Sequence, residues 1–208
     1  MELGRLIAFE GGEGTGKSTQ ARLLAEALRA RGDTVVLTRE PGGTPGAEAI
    51  RTLLLDPPGE GWGAEAEALL FAAARADHVA RTIRPALAAG AWVICDRFLD
   101  SSRAYQGAAG ALGDEAVRRL HAIGSGGLLP ALTIVLSANT AQTKARLRER
   151  DGDASDAIGG RDTAYHARVN DAFAAFAAAE PARFAAIDGE GRVEEVHARV
   201  LAAVLARC

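Results

Sequence analysis

The sequence predicts a three-layer α/β fold, in which helices cover both faces of a five-stranded parallel sheet. Five short apolar runs alternate with longer segments of helical periodicity. The candidate strands span residues 5–9, 34–38, 92–96, 132–136 and 184–187. Near-continuous apolar runs are typical of parallel strands that are buried on both faces. A glycine-rich loop follows the first run, and polar residues follow the next two, at the sheet edge where such proteins bind ligands.

The loop after the first candidate strand fits the pattern G-x-x-x-x-G-K-[ST] over residues 11–18, and we call it the P-loop. Apolar residues then recur at helical spacing over 19–31. In this order, strand, loop and helix form a polyphosphate site, because backbone N–H groups and the helix N-terminus face the ligand. Lys17 would reach the terminal phosphates, and Ser18 would ligate magnesium. The predicted triphosphate-binding residues are Gly11, Gly12, Glu13, Gly14, Thr15, Gly16, Lys17, Ser18 and Thr19.

The second candidate strand ends in the segment Thr-Arg-Glu-Pro-Gly-Gly-Thr at residues 38–44. This segment offers a cation at Arg39 and a carboxylate at Glu40, and the helix after it carries Arg51. Taken alone, the segment is also compatible with a plain turn that carries a surface ion pair.

The third candidate strand ends at Asp96, and a polar segment continues to residue 107. An acid at a strand end can hold a magnesium-bound water, and Arg97 can clamp phosphate oxygens. If the chain after Arg97 is helical, Ser102 and Gln106 share one face with Tyr105 beside them. These groups predict a second pocket, which would recognise a small planar base.

Composition favours one soluble domain over residues 1–208, because the chain has ample apolar content and no stretch long enough to span a membrane. The formal charge of −3 argues against a general nucleic-acid binder. The first strand begins too close to the N-terminus for a secretory signal peptide, which predicts a cytoplasmic location. Residues 151–160 are rich in Asp, Gly and Ala and predict a mobile loop, within a lid of about 148–162.

Four segments together resemble the bacterial type of thymidylate kinase. They are Phe-Glu-Gly at 9–11, residues 38–44, Leu-Phe-Ala-Ala-Ala-Arg at 70–75, and residues 96–107, all in colinear order. The resemblance implies a P-loop nucleoside monophosphate kinase that transfers the γ-phosphoryl group of ATP to thymidine monophosphate (dTMP) in dTTP biosynthesis. It also implies Mg²⁺ as cofactor and a homodimer.

The resemblance further implies roles for residues in the acceptor site. Phe71 would stack on the thymine ring and Arg75 would bond its carbonyl oxygen, and positions four apart do share a helix face. Without the resemblance, Phe71 is more simply a core aromatic residue. Tyr105 would pack against the sugar. The implied substrate-binding residues are Glu10, Arg39, Glu40, Arg51, Phe71, Arg75, Arg97, Ser101, Ser102, Tyr105 and Gln106.

Catalysis of phosphoryl transfer needs positive charge on the transferring oxygens, but the P-loop contains no arginine. The lid would therefore supply this charge. Relatives commonly have an Asp-Arg-aliphatic-Glu run there, whereas residues 156–159 read Asp-Ala-Ile-Gly. Our hypothesis is that Arg161 substitutes for the missing arginine, with Arg150 as the other candidate. The implied catalytic residues are Lys17, Arg97, Arg161, Arg150 and Glu10, and the implied metal ligands are Ser18 and Asp96.

Two other functions remain open from the sequence. One is a kinase for another nucleoside monophosphate, since the residues alone indicate only a small planar base. The other is a nucleotide-dependent switch without transferase activity. The sequence has no Asn-Lys-x-Asp run for guanine recognition, and a switch needs no second nucleotide pocket.

Overall fold

A computed structural model describes residues 4–137, 143 and 156–208 of the chain. The strands are β1 (Leu6–Glu10), β2 (Val35–Arg39), β3 (Trp92–Asp96), β4 (Leu132–Ser137) and β5 (Phe184–Asp188). The helices are α1 (Lys17–Ala30), α2 (Pro45–Leu55), α3 (Ala64–His78), α4 (Arg84–Ala88), α5 (Leu99–Ser102), α6 (Asp114–Ser125), α7 (Thr163–Ala179) and α8 (Val193–Arg207), with π-helical segments at Val79–Ile83 and Arg103–Ala109. Each predicted strand is present, with its ends within one residue of the prediction.

The five strands form one parallel sheet in the order β2-β3-β1-β4-β5. Phe9 of β1 pairs with Asp96 of β3, and Arg39 of β2 pairs with the same Asp96. The carboxyl ends of these three strands therefore lie side by side, although they are far apart in the sequence. This register brings the P-loop next to the segments that follow β2 and β3, where ligands collect in open α/β sheets.

Helices cover both faces of the sheet because alternate strand residues point to opposite sides. On one face, Ile7 and Phe9 pack in a buried cluster with residues of α1 and α8 such as Leu24 and Val200. On the other face, Leu6 and Ala8 pack with the segments that contain Val79, Phe98 and Val117. The three-layer α/β prediction is confirmed. No helix in the described ranges has the length and hydropathy needed to cross a lipid bilayer.

A buried ion-pair network anchors the short helix α5. The carboxylate of Asp100 is fully buried and accepts hydrogen bonds from Arg103 Nη1 at 2.8 Å and Arg183 Nη1 at 2.6 Å. Thr133 Oγ1 donates to it at 3.2 Å. Because Thr133 lies in β4 and Arg183 lies directly before β5, Asp100 ties the polar segment after β3 to these two strands.

Candidate active site

A cleft of about 670 Å³ lies at the carboxyl ends of β1, β2 and β3. It extends from the P-loop to the segment that follows β3. Its lining includes most of the predicted site residues. They are Glu13, Gly14, Gly16, Lys17, Ser18, Thr19, Arg39, Glu40, Arg51, Phe71, Asp96, Arg97, Ser101, Ser102, Tyr105 and Gln106. Pro41, Leu55, Asp156 and Ile158 also line it. The cleft therefore brings the two predicted pockets together in one space.

The P-loop leads directly into α1, which begins at Lys17. Gly16 ends the loop with φ 95°, a left-handed conformation that side chains disfavour. Gly11 is required by a close approach, because a Cβ there would lie 2.3 Å from the Leu136 carbonyl oxygen. The Lys17 ammonium donates to the Gly12 carbonyl oxygen at 2.6 Å. Burial and the nearby Arg97 guanidinium lower the pKa of Lys17 to about 8.

Ser18 and Asp96 meet at the base of the P-loop. The Ser18 hydroxyl donates to Asp96 Oδ2. The other carboxylate oxygen, Oδ1, is buried and has no hydrogen-bond partner among the described residues. A buried acceptor without a partner is costly, so this oxygen is suited to a cation. Hydroxyl and carboxylate oxygens are the ligands that Mg²⁺ prefers.

The guanidinium of Arg97 spans the middle of the cleft. It donates to Glu13 Oε1 at 2.5 Å and to Ser101 Oγ at 3.1 Å, and it lies 5.2 Å from the centre of the Tyr105 ring. The Tyr105 hydroxyl donates to the same Glu13 oxygen at 3.2 Å. The backbone of Arg97 is left-handed, with φ 69°, a conformation that costs a non-glycine residue on the order of 1 kcal/mol or more. This turn directs the side chain back toward the P-loop.

Glu10 lies behind the cleft and does not line it. Its side chain is fully buried and accepts from the Phe98 and Ser101 backbone N–H groups at 2.8 and 2.9 Å, and from Ser101 Oγ at 2.6 Å. Burial and the Asp100 carboxylate raise the pKa of Glu10 to about 7. In this structure, Glu10 therefore holds the segment after β3 in place. The predicted direct contact with substrate stays a prediction.

Two arginines that line the cleft come from the end of β2 and from α2. Arg39 donates to both carboxylate oxygens of Glu48 at 3.1 Å, and Arg51 donates to the Pro41 carbonyl oxygen at 2.9 Å. Partial burial and Arg39 lower the pKa of Arg51. Both cations face the same space as Arg97, so the site can hold an anionic group between them.

The carboxylate of Glu40 is held from the opposite side by α3. Arg75 Nε donates to it at 2.7 Å, and His78 Nδ1 lies 3.1 Å from its other oxygen. Arg75 Nη2 also donates to the Ser102 hydroxyl oxygen at 2.9 Å. Arg75 is only 3% exposed and does not line the cleft, so in this structure it reaches the cleft through Ser102. Its predicted bond to a base carbonyl stays a prediction.

The base-recognition residues predicted from the sequence are brought together in the cleft. Phe71, Ser102, Tyr105 and Gln106 all line it. The chain after Arg97 is helical as expected, although residues 103–109 are π-helical. The Gln106 amide donates from Nε2 to Glu67 Oε1 at 2.8 Å.

The described part of the lid contacts the cleft through two residues. Asp156 Oδ1 accepts from the backbone N–H groups of Ile158 at 3.0 Å and of Gly159 at 2.7 Å. Arg161 instead lies outside the lining, where it donates to Glu67 Oε2 and, at 2.5 Å, to the Tyr165 hydroxyl oxygen. Its catalytic role stays a prediction. Arg150 and the part of the predicted lid before residue 156 lie outside the described residues.

The sequence analysis missed two buried residues that contact the site, Glu67 and His78. A signal for Glu67 was present, because this acid lies four residues before Phe71 and eight before Arg75, on the same helix face. In the structure this acid is 6% exposed and is paired with Gln106 and Arg161. His78 had no comparable signal.

The fold and cleft define a class of protein. A P-loop, a carboxylate bonded to it, and a set of arginine and aromatic side chains in the same cleft are the parts of a P-loop kinase for a small nucleotide acceptor.

The comparisons with known proteins agree with this class. The family model described as "Thymidylate kinase" matches residues 9–200. A thymidylate kinase of Rhizorhabdus wittichii is 60% identical over 97% of each chain. One of Nitrobacter winogradskyi is 48% identical over 97% of this chain and 88% of that protein. The crystal structure of thymidylate kinase from Ehrlichia chaffeensis superposes with a TM-score of 0.80, at 31% identity, over 97% of this chain and 99% of that chain. The chain belongs to the thymidylate kinase family, which confirms the family and the enzyme class predicted from the sequence.

Proposed function

We propose that this chain transfers the γ-phosphoryl group of ATP to dTMP, giving ADP and dTDP for dTTP synthesis. The observation that carries the proposal is the two-part cleft. Lys17 and Ser18 of the P-loop line the same cleft as Phe71 and Gln106. Arg97 bonds both to Glu13 of the P-loop and to Ser101 of the segment after β3. A donor triphosphate and an acceptor monophosphate would meet at Arg97. The family relationship supports thymine as the acceptor base.

We assign the magnesium site to Ser18 and Asp96. The buried Oδ1 of Asp96, which has no hydrogen-bond partner among the described residues, supports this assignment. When bound, Mg²⁺ would neutralise charge that develops on the phosphate oxygens. Ser18 lies in the first turn of α1, so its hydroxyl and the helix N-terminus would face the same phosphates.

The protein residues would act mainly by alignment and charge. Lys17 would exchange its bond to the Gly12 carbonyl for the terminal phosphates of ATP. Arg97 would exchange Glu13 for the acceptor phosphate, with Arg51 on the other side of that phosphate. Arg161 is our candidate for the additional charge on the transferring group, and it would have to leave Glu67 to act.

We also propose a cytoplasmic homodimer. Large apolar side chains support a protein interface, because Leu53 of α2, Leu69 of α3 and Ile123 of α6 are 41%, 55% and 85% exposed. A Leu69→Glu variant should then elute as a monomer, at half the mass of the parent dimer, in size-exclusion chromatography with light scattering. An unchanged mass would place the interface elsewhere.

A coupled ADP-release assay tests the reaction and the substrate together. We expect turnover with dTMP, weaker turnover with dUMP, and little with dCMP, UMP, AMP or GMP. Chelation of Mg²⁺ should abolish turnover. Arg97→Lys should lower kcat/KM for dTMP by about 10- to 1000-fold, because a lysine ammonium cannot form the paired hydrogen bonds that a planar guanidinium makes to phosphate oxygens. Arg119→Lys is the matched control, since Arg119 forms an exposed pair on α6 with both side chains more than 70% exposed.

The outcomes separate the alternatives. A preference for another monophosphate would assign a different acceptor to the same site. Binding of ATP with no turnover on any member of the panel would contradict the kinase proposal and favour a nucleotide-binding switch.

A further inference from the structure

Glu67 of α3 is a buried acid that bonds to Gln106 of the cleft lining without lining the cleft itself. It is 6% exposed. Its two carboxylate oxygens have different partners. Oε1 accepts from Gln106 Nε2 at 2.8 Å, and Oε2 accepts from Arg161 Nη2. Each oxygen of the carboxylate is therefore held by its own hydrogen bond.

This arrangement decides how the Gln106 amide is oriented. A side-chain amide has a donor end and an acceptor end that are nearly identical in shape. A carboxylate paired with an arginine only accepts hydrogen bonds, so Gln106 must present its NH₂ group to Glu67. Its carbonyl oxygen Oε1 is then the end left for the cleft, which Gln106 lines.

Arg161, which bonds to the second carboxylate oxygen of Glu67, is itself held by a further hydrogen bond. Arg161 also donates to the Tyr165 hydroxyl at 2.5 Å, and that hydroxyl donates to the Tyr105 backbone carbonyl at 2.7 Å. Tyr105 lies one residue before Gln106, so the contacts close a ring around the amide. Rotation of the amide would break the bond to Glu67 and place two oxygens against each other.

We propose that Glu67 is a positioning residue that makes Gln106 an obligatory hydrogen-bond acceptor for the bound base. The proposal rests on the proposed function and assigns a cause to its base selectivity. Thymine and uracil carry a hydrogen on ring nitrogen N3, which can donate to this carbonyl. Cytosine carries a lone pair at N3, which the carbonyl oxygen repels. Glu67 therefore favours the first class of pyrimidine without touching it.

The test is the Glu67→Gln variant, assayed as the full-length protein with dTMP, dUMP and dCMP. A glutamine at position 67 can donate or accept, so the Gln106 amide can take either orientation. The ratio of kcat/KM for dTMP to that for dCMP should fall by about 10-fold or more. The ratio for dTMP to dUMP should change less than about twofold, because both bases carry the N3 hydrogen. Glu65→Gln, on an exposed position of the same helix, is the matched control and should leave both ratios unchanged.

A double variant that exchanges the residues at positions 67 and 106 should restore the base selectivity. In Glu67→Gln with Gln106→Glu, an amide again faces a carboxylate, and an acceptor oxygen again faces the base. This double variant should restore the preference against dCMP. If Glu67→Gln does not fold by circular dichroism, Gln106→Met replaces it, since methionine removes the acceptor from the cleft side, and it too should lower the ratio for dTMP to dCMP.

The results distinguish this inference from the proposed function. An unmutated protein with no turnover on dTMP would overturn the proposed function and the inference with it. Normal turnover of the unmutated protein, with an unchanged dTMP to dCMP ratio in the folded variant, would overturn the inference alone. Equal shifts in the dUMP and dCMP ratios would also overturn it, because they would indicate a merely loosened pocket.

Discussion

ATP binding should take up a proton at alkaline pH, because the pKa of buried Lys17 is lowered to about 8 in the free protein. Phosphate oxygens around the ammonium would favour its charged form and return the pKa toward its ordinary value of 10.5. With these two values, binding takes up about 0.1 proton near pH 7 and about 0.75 proton near pH 8.5. Phosphate groups are already ionised at the higher pH, so they add little to this number.

Isothermal titration calorimetry measures this uptake directly. Heats of binding of ATP with Mg²⁺ are compared in two buffers that differ in ionisation enthalpy, and the difference gives the number of protons. Lys17→Met is the control, since its weaker binding should show no uptake. An uptake below about 0.2 proton near pH 8.5 in the parent protein would refute the lowered pKa, as would an undiminished uptake in Lys17→Met.

Three further predictions concern stability and the P-loop. Asp100→Asn should lower the free energy of unfolding by about 2–4 kcal/mol, because it weakens the bonds of a buried carboxylate to buried Arg103 and partly buried Arg183. Glu115→Gln, which removes the charge from an exposed ion pair with Arg119, should change it by less than about 0.5 kcal/mol in urea titrations. Gly11→Ala should lower ATP affinity at least 10-fold in equilibrium titrations, since its Cβ would lie 2.3 Å from the Leu136 carbonyl oxygen; an unchanged affinity would mean that the loop relaxes freely. Glu10 has a folded pKa near 7 and an ordinary value of 4.5, so its contribution to stability is fully present below pH 4.5 and is lost as pH rises through 7. This change lowers the free energy of unfolding by about 3 kcal/mol between pH 4.5 and pH values above 7. In urea titrations, Glu10→Gln should make the free energy of unfolding depend less on pH over this range.

Most of the fold could be predicted because its signals are local. Each buried parallel strand is a short apolar run, and the glycine pattern of residues 11–18 lies between a strand and a helix. The polar residues after β2 and β3 could be assigned to one edge because carboxyl ends of parallel strands meet there. The π-helical geometry of residues 103–109 could not be predicted, since its sequence pattern does not differ from that of an α-helix.

The contacts within the site were harder to predict. Glu67 contacts Gln106 and Arg161, at sequence separations of 39 and 94 residues, and Arg97 contacts Glu13 at a separation of 84. Such pairs leave no periodic trace, because only the packed sheet brings their elements together. Residue types therefore indicated the chemistry, whereas the partners of Arg75, Glu10 and Arg161 required the structure.

The register that pairs Phe9 with Asp96 has a consequence for unfolding experiments. The P-loop and the acid that ends β3 become neighbours only when the central strands are assembled, so a chain that has lost this pairing has no nucleotide site. Nucleotides should therefore bind only the native state. Such binding raises the free energy of global unfolding by about 2.7 kcal/mol when the nucleotide concentration is 100 times Kd. A thermal-shift screen would then rank donor and acceptor nucleotides by affinity before any turnover is measured.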